Sequence, residues 1–169
     1  MNDKSVNFNK SVELDKKLVP IALRKFGYNG PCISIEGTEY DTMFGIDFLT
    51  KDDKGIHTFA TRIRYAKEGG RYWSDFTVRQ ELYPNTPSEY LKRTSSIKEG
   101  SLYPTYTLQA WFTEKEEFVS GAVIETQHLY HFINKYWSYV GTSYSDRPFL
   151  TIDWNKIQSK GYPISIINK

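Results

Sequence analysis

Residues 41–65 read DTMFGIDFLTKDDKGIHTFATRIRY, and this stretch decides the fold. Two β-prone runs, Ile46 to Thr50 and Phe59 to Tyr65, flank the polar segment Lys51-Asp52-Asp53-Lys54-Gly55. Asp and Gly between two such runs predict a hairpin. Side chains alternate along a strand, so Phe59, Thr61, Ile63 and Tyr65 fall on one face of the second run, and Thr58, Ala60, Arg62 and Arg64 on the other. The first face reads as core, while the second sets two arginines side by side.

Upstream, Leu14, Leu18, Ala22 and Phe26 recur at helical spacing, with Pro20 inside the pattern as a bend or a first turn. Gly27 and Asn29-Gly30-Pro31 end that helix. Residues 1–10 are polar and read as a flexible N-terminal tail. Downstream, Glu68-Gly69-Gly70 predicts a turn, and WSDFTVRQELY predicts a strand whose Phe76 and Val78 oppose Thr77, Arg79 and Glu81. Pro84-Asn85-Thr86-Pro87 interrupts the chain. Thr86 or Ser88 then caps a helix from about Glu89 to Lys98, stopped by Gly100. YPTYTLQAWF and EFVSGAVIET form a second hairpin around Glu114-Lys115-Glu116. In TQHLYHFINKYW, Leu129, Phe132, Ile133 and Trp137 share a helical face, with Thr126 as the cap. FLTIDW and a short strand near Ile164 to Ile167 complete the chain.

This order of elements, without repeats, linkers or strict βαβ alternation, predicts an α+β fold with a central mixed, largely antiparallel sheet flanked by helices. The sheet is expected to hold Ile46, Phe48, Phe59, Ile63, Phe76 and Val78 against the first helix. A chain of 169 residues fits a single domain, 1–169, and at that size a core can bury roughly two thirds of the unfolded surface. Aromatics make up 16% of the chain, including 13 Tyr, which favours strands. The sole cysteine, Cys32, has no disulfide partner, so a reducing compartment is expected. No apolar run approaches the ~18 residues of a membrane span, and the N-terminus lacks an apolar signal core. A cytoplasmic protein of a host cell, with no membrane partner, is the expectation. The formal charge of +2 neither requires nor excludes nucleic acid.

Several catalytic signatures are missing: no phosphate-cradling glycine loop, GxGxxG, HExxH or GxSxG occurs. His128 and His131 lie three apart on the third helix. Surface or aromatic-packing roles suit them better than metal ligation. The chemistry concentrates instead in Asp41 and Gly45-Ile46-Asp47, followed by the strand with Arg62 and Arg64. Two carboxylates beside cations are what metal-assisted phosphodiester cleavage uses. Carboxylate oxygens hold a hard divalent ion, the ion activates water, and a cation steadies the developing charge. The bland reading of the same residues is turn-forming aspartates and solvated arginines, and spacing by itself favours it. Arg62, Arg64 and Arg79 share the polar phase of their strands and are expected to form one basic patch facing Asp41 and Asp47.

A leading helix with Glu13, then GID ending at Asp47, then an arginine-bearing strand resembles the PD-(D/E)xK nuclease-like superfamily. DFTVR, the helix with Ser88-Glu89 near its start, and the aromatic strand YTLQAWF are similar to a branch seen in phage and mobile-element proteins. The resemblance spans about Leu14 to Lys135. It implies a restriction-endonuclease-like core and a Mg- or Mn-dependent nucleic-acid cleavage site. Asp47 would be the central metal ligand, Glu13 the helix carboxylate and Asp41 an accessory ligand. Arg62 would stand where the family's strand carries lysine, with Arg64 and Arg79 binding substrate.

The departures from that pattern are specific. The ligand position two residues before the lysine is Ala60, which offers no oxygen. Arg62 stays protonated and cannot act as a base, though it can bind phosphate bidentately. Either Glu81 or Glu89 supplies the missing ligand, or the chain keeps the fold without cleavage. Three functions follow: a divergent metal-dependent nuclease, an inactive nuclease-fold module that binds nucleic acid or a protein, or a phage or mobile-element protein that inhibits a host defence system by binding a protein or a nucleotide.

Overall fold

The turn between Asp52 and Gly55 closes the expected hairpin. In a computed structural model describing residues 3–66, 72–80, 88–143 and 148–168, with side chains from residue 12 onward, β2 (Phe48–Asp52) pairs antiparallel with β3 (Gly55–Ala66). Asp52 sets the turn through its side chain, which accepts a hydrogen bond from the Lys54 N–H at 2.8 Å. β1 (Cys32–Ser34) adds to the outer edge of β2. The other edge of β3 is taken by β5 (Tyr106–Thr113), in parallel, from Phe59↔Tyr106 to Ala66↔Thr113. β6 (Phe118–Glu125) returns beside β5 through the second predicted hairpin, where Glu116 adopts a positive φ of 64°. β9 (Ile164–Asn168) closes the sheet, whose order is β1-β2-β3-β5-β6-β9. One parallel seam in an otherwise antiparallel sheet makes it mixed, and the fold is α+β.

β4 (Asp75–Arg79) does not join this sheet, contrary to the sequence-based expectation. β3 is already paired on both edges, so β4 pairs with β8 (Phe149–Asp153), which also pairs with the two-residue β7 (Gly141–Thr142). Phe76 and Val78 are buried as predicted, but in a separate cluster from Phe48 and Phe59.

Helix α1 (Asp3–Lys25) covers one face of the large sheet. It begins before the end of the tail expected over residues 1–10 and continues through Pro20. Its Leu18, Val19, Ala22 and Leu23 are buried against Phe48, Phe59, Leu108, Phe112 and Val123. On the opposite face, Ala122 and Ile124 of β6 meet Phe76, Val78, Leu150 and Ile152 of the small sheet. That cluster is completed by α4 (Thr126–Lys135) and α5 (Trp154–Ser159), with Trp154 fully buried. Leu129, Phe132 and Ile133 of α4 are buried as expected, whereas Trp137 lies beyond the helix in a 3₁₀ turn (Trp137–Tyr139) and is 48% exposed. Thr126 does not cap α4; its hydroxyl lies 3.0 Å from that of Thr107 on β5. No described helix is long and apolar enough to cross a membrane.

Two helices frame the rest of the second face. α3 (Glu89–Glu99) is capped by Ser88, whose hydroxyl oxygen accepts from the Leu91 N–H at 3.2 Å, and is ended by Gly100. The alternative cap Thr86, with both predicted breaks around Gly69 and Pro84, lies outside the described residues. The short α2 (Glu39–Phe44) was not expected. It ends at Gly45, in the left-handed conformation (φ 60°), and its last carbonyls are bound by α3. Arg93 donates to the carbonyls of Phe44 and, at 3.0 Å, Gly45, and Lys92 donates to that of Thr42 at 3.1 Å. The first glycine of the GID triplet is therefore a helix stop pressed against a buried arginine.

A Cβ at residue 45 would lie 2.7 Å from Nη2 of Arg93. Gly45→Ala combines that clash with backbone strain, and is expected to cost about 2 kcal/mol. Urea unfolding measures this, and a loss of only a few tenths would show that α2 is not held against α3 as described.

Candidate functional site

Asp47 is fixed by backbone before its side chain does anything. Its N–H donates to Phe59 at 2.8 Å and its carbonyl accepts from Ile35 at 2.9 Å, wedging it between β1 and β3. The side chain then accepts the Thr61 N–H at 2.6 Å. Ile46, just before it, is buried and pins the segment from below. Burial pushes the Asp47 carboxyl up to about 7; the Thr61 hydrogen bond opposes this and the nearby Asp41 adds to it.

Asp47 and Asp41 line one cleft of about 370 Å³, bounded by β3, β5, α2 and α3. Arg62, Arg79, Lys92 and Arg93 line it as well, as do Glu36 and Glu89. Four acids thus face four bases, so any ligand must be held by particular groups rather than by a bulk field.

The basic side is organised around Thr77. Register places Arg62 beside Gln109 on adjacent strands. Gln109 is buried, and its Oε1 accepts both the Thr77 N–H, at 2.9 Å, and the Thr77 hydroxyl, at 3.0 Å. Thr77 Oγ1 in turn accepts from Arg62 at 3.1 Å and Arg64 at 3.3 Å. Arg62 also pairs with Glu89 at 3.0 Å, and the same carboxylate oxygen accepts the Arg79 N–H at 3.1 Å. The guanidinium carbons of Arg62, Arg64 and Arg79 all lie over the Phe149 ring, at 5.2, 5.7 and 5.6 Å. The three predicted arginines therefore form one group. Arg62 and Arg79 reach the cleft holding Asp41 and Asp47, while Arg64 is not among its lining residues. The Gln109 amide nitrogen, also in the cleft wall, is buried without a hydrogen-bond partner among the described residues.

The remaining predicted residues are dispersed. Glu13 is on an exposed part of α1 and pairs with Lys16 at 2.9 Å. The α1 acid that acts on the cleft is Asp15: burial lifts its carboxyl to about 6, and Arg62 pulls it back. Asp15 also raises Glu36, which burial takes to about 7. Ala60 lines the cleft without a polar atom, and Glu81 lies outside the described residues. His131 Nδ1 lies 2.9 Å from the Tyr162 hydroxyl and His128 stacks edge-on against the same ring, so both histidines pack on an aromatic. Cys32 is a free thiol, pushed up by burial to about 11 and correspondingly unreactive.

The donor set does not fit a divalent-metal cage. A hard ion requires several free carboxylate oxygens around one point. Here one Asp47 oxygen is spent on Thr61, one Asp41 oxygen on the Gly37 N–H at 2.8 Å, and one Glu89 oxygen on both Arg62 and the Arg79 N–H, so these acids converge on neighbouring donors rather than on one point. Among the described residues, no three His, Cys, Asp or Glu side chains are grouped to hold a metal.

Sequence reasoning missed Gln109, Glu36, Asp15 and Phe149. Gln109 carried a signal, since it is the one polar residue in the run Leu108 to Phe112. Glu36, Asp15 and Phe149 had no local signal, because their roles come from the tertiary approach of separate elements. The chain matches no protein-family model, and none of the curated proteins matches it.

The raised Asp47 carboxyl makes a pH prediction. Between its ordinary value of 3.8 and about 7, the folded chain keeps a proton that the unfolded chain releases, so Asp47 lowers stability as pH rises through that window. Asp47→Asn keeps an acceptor for Thr61 and removes the charge. It is expected to match the parent only near pH 3.8 and below, to be already more stable by about 1–2 kcal/mol near pH 5, and to be more stable by up to about 4 kcal/mol near pH 8. Chemical denaturation at these pH values checks this, and equal stability near pH 8 would show that the carboxylate is not strained.

Proposed function

We propose that this chain is a nuclease-like module of restriction-endonuclease-like core, of phage or mobile-element type, that binds a nucleic-acid phosphodiester in the cleft and has little or no cleavage activity. The observation that supports it best is the convergence in one cleft wall of Arg62, Arg79 and the unpartnered Gln109 amide, opposite Asp47 and Asp41. Arginine forks and amide N–H groups are the donors that phosphate oxygens accept from. Glu89 is the resident anion at that position: its carboxylate holds Arg62 and the Arg79 N–H much as a phosphate oxygen would. A phosphodiester entering the cleft competes with Glu89 for the same donors.

The acids explain the weak chemistry. Cleavage in the family that the sequence resembles uses a Mg or Mn ion on several carboxylates, and this cleft lacks that cage. Asp47 then serves to anchor the start of β2 on Thr61, and Arg62, always protonated, serves as a phosphate-binding group and not as a base.

Binding of labelled DNA and RNA strands tests the reading. Affinity is expected to fall steeply with salt. Arg62→Ala is expected to weaken binding about tenfold on all sequences alike, the mark of a backbone contact. Glu89→Gln is expected to strengthen it, because the competing anion is gone. Added Mg²⁺ or Mn²⁺ is expected to leave the strands uncut. Robust metal-stimulated cleavage that disappears in Asp47→Ala would restore the active-nuclease reading. Salt-independent binding, or none, would favour a protein partner such as a host defence component.

A further inference from the structure

A second surface combines exposed rings with lysines that make no ion pair among the described residues. It comprises the end of α4, the 3₁₀ turn and α5. Trp137 and Tyr139 are 48% and 40% exposed. Lys135 and Lys160 stand over the Tyr136 ring at 5.4 and 5.3 Å, and Lys156 and Lys160 over the Tyr139 ring at 5.9 and 4.8 Å. None of the three lysines makes an ion pair among the described residues. The nearest acid on the same segment, Asp153, is committed to capping α5 through the Lys156 N–H at 3.0 Å.

Packing does not account for this arrangement. The apolar face of α4 is already complete with Leu129, Phe132 and Ile133, all fully buried. Lysine–tyrosine contacts at exposed positions stabilise only weakly. Trp137 takes no part in them; its ring partner among the described residues is Tyr90, at 6.0 Å, and much of its surface faces solvent. Tyr90 is held by stacking on Tyr130 at 6.1 Å and by donating to Asn134 at 2.7 Å. Tyr90 directly follows Glu89, the residue that grips Arg62, so the aromatic surface starts where the cleft wall ends.

We infer that this surface binds single-stranded nucleic acid, with Trp137 stacking a base and Lys135, Lys156 and Lys160, carried on the neighbouring tyrosines, meeting phosphates. Exposed flat rings interleaved with unpaired lysines are what sequence-tolerant strand binding uses. A duplex hides its base faces and would gain only the lysines. A lipid surface would also accept rings and lysines, but it needs an apolar face to bury, and that of α4 is already taken up in the core. The inference shares with the proposed cleft function only the class of ligand.

Fluorescence anisotropy of the full chain with labelled oligodeoxythymidine, an abasic strand of equal length and a duplex tests it. Trp137→Ala is expected to weaken binding of oligodeoxythymidine about tenfold and to leave the abasic strand unaffected. Trp137→Phe should recover most of the loss. Replacing Lys135, Lys156 and Lys160 together by alanine should reduce the slope of log affinity against log salt by about 2. If Arg62→Ala weakens binding while the Trp137 and lysine variants bind like the parent, the patch is overturned and the cleft stands. If the patch variants lose binding while Arg62→Ala does not, the patch stands and the cleft falls. A parent chain that binds no strand overturns both, and capture by anionic vesicles in place of the strand overturns the patch.

Discussion

The carboxamide of Gln109 joins the two sheets and sets the direction of the hydrogen bonds around it. Its Oε1 accepts the Thr77 N–H, a donor on the edge of β4 that β8 does not use, and so supplies the polar link between the layers. The same oxygen takes the Thr77 hydroxyl proton. That leaves only lone pairs on Thr77 Oγ1, and Arg62 and Arg64 are the donors that use them. An apolar residue at 109 would strand a buried N–H and free the hydroxyl to turn its proton toward the arginines. The polarity of the basic wall thus depends on one neutral side chain in a buried strand.

Three like charges cannot share so small a space without help. Burial and the fields of Arg62 and Arg79 both disfavour the charged form of Arg64. Asp75, the Phe149 face and the Thr77 oxygen offset that repulsion from three directions. Opposite them, Asp47 and Glu36 are each raised toward neutrality. Groups held away from their ordinary protonation equilibria are common where a protein binds or reacts, although structural networks produce them too. Here the destabilised acids and the crowded arginines share one cleft, so a ligand that screens either set would stabilise the folded chain.

Much of the frame could be read from local sequence. Asp52 and Gly55 fixed one hairpin, Ser88 and Gly100 bounded α3, and the spacing of Leu18 and Ala22 identified the buried face of α1. These signals are local because turns, caps and periodicity are local. The allocation of β4 was not legible, since it depends on which edge of β3 is vacant, and β5 fills that edge from far along the chain. α5 carried a readable signal in Asp153 as cap and Gly161 beyond its end, but at six residues its apolar periodicity is too short to stand out. In the site, Asp41, Asp47, Arg62 and Arg79 were legible as chemical types, and the structure brings them to one cleft. Glu13 was displaced in favour of Asp15 because helical phase, two residues on, decides which acid turns inward.

The parallel seam between β3 and β5 has a kinetic consequence. Each hairpin flanking it, β2–β3 and β5–β6, closes through a short turn and involves only near neighbours in sequence. The seam unites segments far apart, as Thr58 and Thr105 show, 47 residues from each other. Its loop-closure entropy falls due before most of its contacts form, so topology predicts that joining the two hairpins is the slow event in assembling this sheet. β4 and α3 lie within the closed span, and the basic wall they help to build arises only after that crossing. On this topology the cleft is predicted to be a late product of folding, assembled on a hairpin that closes locally.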